Sequence, residues 1–187
     1  WGIHHIDIIR HILNLGMPQS FVASGGLFTL EGQITTPDTL RVEMGFESCE
    51  VMWQHRLWGT GDLHPAFNNG IFFHGTKATL FASDDKLILM PSGKNQLQKE
   101  INLPTPEMQD NHVAIFIDAV RERNKKAIAC TPEDAFRSTA TVQLGMISYY
   151  SGKPLVWNET SREITNQKKM EHFLARPYRE GYRRPEG

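Results

Sequence analysis

The stretch TLRVEMGFESCEVMWQHRLW, residues 39–58, decides the fold class that we predict for this chain. Its two parts, Thr39–Phe46 and Glu50–Trp58, are rich in β-branched, apolar and aromatic residues that alternate with polar ones or run together. Glu47 and Ser48 supply a turn between the two parts. The pattern predicts two neighbouring β-strands joined by a short turn, which is the beginning of an antiparallel sheet.

Further strands are predicted on both sides of this pair. They cover residues 21–28 before it and residues 71–74, 78–82 and 86–90 after it. The connection GTGDLHPAFNNG, residues 59–70, has little periodicity and many turn-forming residues. We predict a long loop there, and long loops in compact domains are often functional.

The chain opens with a predicted amphipathic helix. Its apolar residues recur at steps of three and four: Ile6, Ile9 and Leu13, with Ile12 beside them. The opposite face is polar and carries His4, Asp7, His11 and Asn14. Gly16 and Pro18 then end the helix.

Two helices, a short strand and a tail complete the chain. Residues 109–123 carry an apolar stripe of Val113, Phe116, Ile117 and Val120. Thr131 is a predicted N-cap for a second helix that ends near Ser151, and Leu155–Trp157 follows as a strand.

This order of elements predicts an α+β fold: an open, mainly antiparallel β-sheet with helices on one face. We expect residues 1–157 to form the domain. Residues 158–187 are then a tail, mostly helical, that packs on the same domain or on a neighbouring subunit.

Composition excludes several classes of protein. Twenty basic and 21 acidic residues give a formal charge of −1, which provides no general electrostatic surface for nucleic acid or an anionic membrane. Two cysteines are too few for a disulfide scaffold. No glycine-rich G-x-G-x-x-G follows a predicted strand, so we expect this chain to bind no dinucleotide by itself.

Several stretches resemble the C-terminal domain of the glucose–fructose oxidoreductase and inositol dehydrogenase (Gfo/Idh/MocA) family. WGIHHID, residues 1–7, is similar to the family's D-x-G-x-H-x-x-D helix, and residues 69–80 resemble its G-x-x-G-x-L strand turn. Residues 112–123, 132–134 and 151–158 together resemble the family's ending, and residues 174–179 resemble its last segment. The likeness covers most of the chain in the family's order.

The resemblance implies that a Rossmann domain precedes this one in the full-length protein and holds NAD or NADP. It also implies that the family's catalytic Asp is the residue just ahead of Trp1, and that His4 is the catalytic histidine of the helix. The substrate implied is a small molecule, a sugar or cyclic polyol. Members occur in the cytoplasm and as exported bacterial proteins, so the compartment stays open.

The candidate catalytic residues are therefore His4 and Asp7. An imidazole near neutral pKa accepts a proton from an alcohol, and Asp7, one turn away, is placed to orient the ring. Candidate substrate-binding residues are His5, His64, Asn68 and Trp58, the last by stacking on a sugar ring. We expect no metal site, because helical spacing of His and Asp without a third element is a weak signal.

Two other functions remain open at this point. The chain is alternatively a non-catalytic dimerisation or interaction module, or part of an NAD-dependent glycoside hydrolase or lyase with the same architecture. In each case we expect a homo-oligomer that forms through the sheet face not covered by helices. The predicted apolar surplus lies at Val42, Met44 and Phe46, with Val51 and Trp53 nearby.

Overall fold

A computed structural model describes residues 2–59, 67, 69–94, 97–104, 107–175 and 177–183. The chain divides into two compact units, of which the first joins Trp1–Trp58 to Phe136–Gly187 and the second is Gly59–Ala135. The helices and strands in chain order are α1 Gly2–Leu13, β1 Ser20–Gly26, β2 Thr39–Gly45, β3 Glu50–Arg56, β4 Ile71–His74, β5 Ala78–Ala82, β6 Lys86–Pro91, β7 Lys99–Asn102, α2 Met108–Arg121, α3 Pro132–Ser151, β8 Leu155–Asn158 and β9 Glu163–Ile164. Short 3-10 segments occupy Lys125–Ala127 and Lys168–Leu174.

The first unit is built on a five-stranded sheet in the order β3-β2-β1-β8-β9. Each neighbouring pair is antiparallel, and Val42 lies opposite Ala23 on one side and Trp53 on the other. The α+β class and the antiparallel pairing are thus confirmed. Among the described residues the strands divide between two sheets, where the sequence pattern predicted one.

The core of the first unit lies on one face of this sheet. Leu40, Val42 and Met44 of β2 are buried together with Ile6 and Ile9 of α1, and with Leu144 and Ile147 of α3. A Cβ atom added to Gly145 would lie 3.0 Å from Cγ1 of Val42, so the absence of a side chain there lets α3 approach β2 closely.

This packing corrects the expectation that these strands carry surplus apolar surface. Val42, Met44 and Val51 are not surplus, because they lie in the core. The opposite, open face of the sheet carries an ion pair in which Nη2 of Arg41 lies 2.6 Å from Oε1 of Glu43. Exposed apolar residues such as Met52 lie on the same face. Self-association through that face stays a prediction, but on other residues than those first named.

The first helix also differs in detail from its predicted pattern. Ile6 and Ile9 are buried as expected, whereas Ile12 and Leu13 are exposed. Arg10 is buried instead, with 4% of its surface exposed. The buried face of α1 therefore runs through Ile6, Ile9 and Arg10, which are spaced as i, i+3 and i+4.

The second unit contains a four-stranded antiparallel sheet in the order β4-β5-β6-β7. Its strands are consecutive in the chain, and Phe81 and Ile88 are fully buried. The α2 helix forms as predicted, but Ala119 is its only buried residue, and the predicted stripe of Val113, Phe116, Ile117 and Val120 is exposed. No helix of the described residues is both long enough and apolar enough to cross a membrane.

A buried aspartate fixes the connection between β1 and β2. Asp38 Oδ2 accepts hydrogen bonds from the backbone N–H groups of Phe28, Thr29 and Leu30 at 3.0, 2.7 and 2.9 Å. Burial acts to raise the pKa of Asp38, but these three N–H groups and the Thr39 hydroxyl outweigh it and hold that pKa well below its ordinary value.

Asp38→Asn is expected to lower the thermal midpoint of unfolding by about 5 °C at pH 7, because a neutral amide accepts weaker hydrogen bonds than a carboxylate. Because the pKa of Asp38 is lower in the folded state, its charge stabilises the protein at pH values above the unfolded pKa of about 3.9. This stabilisation is lost as the pH falls below that value. The gap between the two proteins should therefore close in acid, as measured by circular dichroism across a pH series. Asp84→Asn, at an exposed turn, is the control and should change the midpoint little. An equal gap at every pH would contradict this role of the Asp38 charge.

Candidate active site

The candidate site is the first turn of α1, where His4 and His5 follow each other. His4 is exposed, whereas His5 is buried, with 8% of its surface exposed. Successive helical residues point about 100° apart, so the turn directs one imidazole outward and the other into the unit. His4 thus presents its ring on the polar face, as its spacing predicted.

A row of aromatic rings anchors the inner side of this turn. The His5 ring lies 5.7 Å from the Trp53 ring, centroid to centroid, and a side chain at Gly2 would meet the same indole at 3.6 Å. The indole N–H of Trp53 donates to Nδ1 of His55 at 3.0 Å. The buried ring of His5 is therefore a packing contact between α1 and β3.

A polar cluster anchors the next turn of α1 to α3. The Ser138 hydroxyl donates to Oδ1 of Asp7 at 2.5 Å and accepts from Nη1 of Arg10. Arg10 Nε also donates to the carbonyl of Gly16 at 2.9 Å, just after the end of the helix. Asp7, predicted to orient His4, is thus bonded to α3, and its action on the His4 ring stays a prediction.

Two residues of this cluster, Arg10 and Ser138, were missed by sequence reasoning. Arg10 sits four residues after Ile6, on the side of the helix that the apolar pattern assigns to the core. An arginine in that position is a signal for a buried polar partner, because a buried guanidinium requires acceptors. The identity of the partner was not predictable, since Ser138 lies 128 residues away from Arg10 in the chain.

A known protein family matches this chain. Residues 62–184, about two thirds of the chain, match the profile described as "Oxidoreductase family, C-terminal alpha/beta domain", which is the Gfo/Idh/MocA type. The chain belongs to this oxidoreductase family. The resemblance found in the sequence motifs is confirmed.

Solved structures show the same fold at low sequence identity. An oxidoreductase described from Thermotoga maritima has a TM-score of 0.63 and 17% identity, over 83% of this chain and 45% of that one. A protein described as an NADPH-dependent oxidoreductase from Desulfitobacterium hafniense has a TM-score of 0.60 and 16% identity, over 82% and 46%. UDP-N-acetylglucosamine 3-dehydrogenase from Acidithiobacillus ferrooxidans has a TM-score of 0.57 and 10% identity, over 80% and 47%.

This family domain spans about half the length of those structures. No curated protein sequence matches the chain closely enough to count as a relative. The comparisons therefore establish the family and the fold, while the activity of the whole protein is a matter for proposal.

Another predicted site residue, Trp58, lies on a different face of the sheet from α1. Trp58 follows β3 on the open face of the sheet, where its indole N–H donates to Oγ1 of Thr39 at 3.0 Å and Arg56 lies over its ring. His5 and His55 are on the opposite, helix-covered face. Trp58 is thus not placed to stack on a sugar held by His4 of the same chain. His64 and Asn68 lie outside the described residues.

The described residues contain neither a glycine-rich dinucleotide loop after a parallel strand nor a cluster of metal-ligating side chains. All their strand pairs are antiparallel, so they contain no parallel βαβ unit with a glycine-rich phosphate loop. The described residues also contain no group of three or more His, Cys, Asp or Glu side chains that could hold a metal ion.

Proposed function

We propose that this chain is the substrate-side domain of a nicotinamide-dependent oxidoreductase that oxidises or reduces a sugar or cyclic polyol hydroxyl, with His4 assisting proton transfer. The observation that carries the proposal is the exposed imidazole of His4 on a helical turn that is held from two sides. Membership of the oxidoreductase family supports the reaction class.

The chemistry required of His4 is the movement of one proton. When an alcohol is oxidised, hydride leaves the carbinol carbon, and the hydroxyl proton must leave the oxygen. An imidazole within hydrogen-bond reach accepts that proton, and in the reverse reaction its conjugate acid returns it. The nicotinamide ring supplies the hydride acceptor, on a dinucleotide held outside the described residues.

The supports of the first turn make His4 suited to this task. His5 packs on Trp53, and Asp7 and Arg10 share the hydroxyl of Ser138. These contacts fix the backbone that carries His4 to both β3 and α3. A proton acceptor on a fixed backbone needs little reordering when the substrate arrives, which lowers the cost of reaching the reactive geometry.

The substrate class and the cofactor rest on the family and its neighbours. One similar structure is a dehydrogenase of a sugar nucleotide, which supports a sugar hydroxyl as the reacting group. Another is described as NADPH-dependent, which supports a nicotinamide cofactor without deciding between NAD and NADP for this chain.

The test uses the full-length protein with sugars and cyclic polyols that carry deuterium on the carbinol carbon. We expect deuterium to appear on the nicotinamide, together with one equivalent of carbonyl product, by mass spectrometry. Matched compounds that lack the reacting hydroxyl are the control and should give no transfer. Failure of every compound to reduce either dinucleotide would contradict the proposal.

The same experiment separates the rival functions. A glycoside hydrolase or lyase that uses the dinucleotide transiently would yield cleaved glycoside with no net reduced nicotinamide. An interaction module would yield neither product. Net reduction that matches the carbonyl formed is the result that only the proposed oxidoreductase gives.

A further inference from the structure

A groove in the first unit lies apart from the first turn of α1. It has a volume of about 360 Å³ and runs between the C-terminal half of α3 and the end of β3. Its lining residues are Thr36, Pro37, His55, Leu57, Gln143, Met146 and Tyr150. No described residue of α1 is among them.

The groove is built from elements that the fold already holds in place. Gln143, Met146 and Tyr150 are spaced as i, i+3 and i+7, so one face of α3 forms a wall. Close packing at Gly145 keeps this part of α3 near β2. His55 and Leu57 form the opposite side of the groove, at the end of β3. This strand is an edge strand of its sheet.

The lining is half polar and carries no acidic or strongly basic group. Thr36, His55, Gln143 and Tyr150 offer a hydroxyl, a ring N–H, an amide and a phenol, while the rest of the lining is apolar. None of the described lining residues is Asp, Glu, Lys or Arg. This combination suits a neutral ligand with both hydroxyl groups and C–H faces, and it offers no cationic side chain to a phosphate or carboxylate.

Two of the polar groups are oriented in advance. The indole N–H of Trp53 can only donate, so Nδ1 of His55 is an acceptor and the ring N–H lies on Nε2. That Nε2 is 3.4 Å from the carbonyl of Pro37, a long contact that a ligand oxygen can replace. At the rim, the ring of Tyr150 is stacked on Phe173, with centroids 5.7 Å apart and planes 16° from parallel.

We propose that this groove binds a neutral, hydroxyl-bearing ring, one monosaccharide unit, as a site separate from the one at His4. Gln143 and His55 recognise ring hydroxyls, and Tyr150, Met146 and Leu57 contact the C–H faces. The proposal does not depend on the catalytic role of His4. It adds a second carbohydrate contact to the domain.

Saturation-transfer NMR of the full-length protein with methyl β-D-glucopyranoside tests the site. A ligand of this size is expected to bind with a Kd of about a millimolar. Gln143→Ala and Tyr150→Ala, both at exposed positions of α3, should each weaken binding at least about tenfold without loss of helix content. Thr139→Ala, one turn before Gln143 and outside the groove lining, is the matched control and should bind like the parent chain.

Further outcomes decide between this site and others. His11→Ala, at an exposed position of α1 and outside the groove lining, should leave glucoside binding unchanged. Loss of binding in His4→Ala but not in Gln143→Ala would assign the sugar to the first turn of α1 and overturn the groove. Absence of saturation transfer at tens of millimolar glucoside, or equal transfer to all variants, would overturn it as well.

Discussion

Replacing His4 by alanine in the full-length protein is expected to lower turnover about 10²–10⁴-fold. The imidazole is exposed on the polar face of α1, so its removal leaves the core packing in place. What is lost is the group that takes the hydroxyl proton as hydride departs. Steady-state kinetics with a substrate identified by deuterium transfer measures the effect. Dinucleotide affinity should stay nearly constant, because the family resemblance implies that a separate Rossmann domain holds the dinucleotide.

His11→Ala is the matched control for this prediction. His11 lies seven residues after His4, two turns along the same exposed face of the same helix. Its replacement should leave turnover within about twofold of the parent, since it lies some 10 Å further along the helix axis. A His4→Ala protein that keeps more than about a tenth of the parent turnover would remove His4 from the catalytic role. A protein that unfolds would show that His4 is structural.

Arg10→Ala is expected to lower the free energy of unfolding by about 2–4 kcal/mol. The guanidinium is buried, and it donates to both the Ser138 hydroxyl and the Gly16 carbonyl. Alanine leaves the buried hydroxyl of Ser138 and the carbonyl of Gly16 without this donor and opens a cavity beside α3. Urea denaturation followed by circular dichroism gives the change.

Arg41→Ala serves as the control for Arg10. Arg41 belongs to the same unit and pairs with Glu43 at 2.6 Å, but half of its side-chain surface is exposed. Exposed ion pairs contribute about 0–1 kcal/mol, so this variant should be nearly as stable as the parent. Equal losses from the two substitutions would mean that the buried cluster does not stabilise α1.

The sequence was a good guide to local structure in this chain. Strand ranges such as Thr39–Phe46 and helix signals such as Thr131 before Pro132 agree with the elements to within a few residues. These features depend on period and turn chemistry within a short window. The division of strands between two sheets was not predictable in the same way, because it depends on which edges pair across the connection at residues 59–70.

The candidate site was predictable only in part. His4 was found by family resemblance and by its place on a polar helix face, and the structure leaves it exposed. The partners of Asp7 and Arg10 were not found, because Ser138 looks like any small polar residue in a helix. Trp58 was predicted to belong to the site because an indole can stack on a sugar ring. It lies on the opposite face of the sheet from His55, because side chains alternate between the two faces along the chain.

The first unit is discontinuous, and this has a consequence for the order of folding. Its bonds from Ser138 to Asp7 and from Ser148 to Ala23 join residues that are 131 and 125 positions apart. The sheet of the second unit needs only consecutive hairpins, which close short loops quickly. On the ribosome, the second unit can therefore form its sheet, and β1–β3 can pair as hairpins, before α3 is made, whereas the contacts of α1 and β1 with α3 must wait for it. Within this chain, the segment that bears His4 is synthesised before its partners in α3 and is among the last to reach its final contacts.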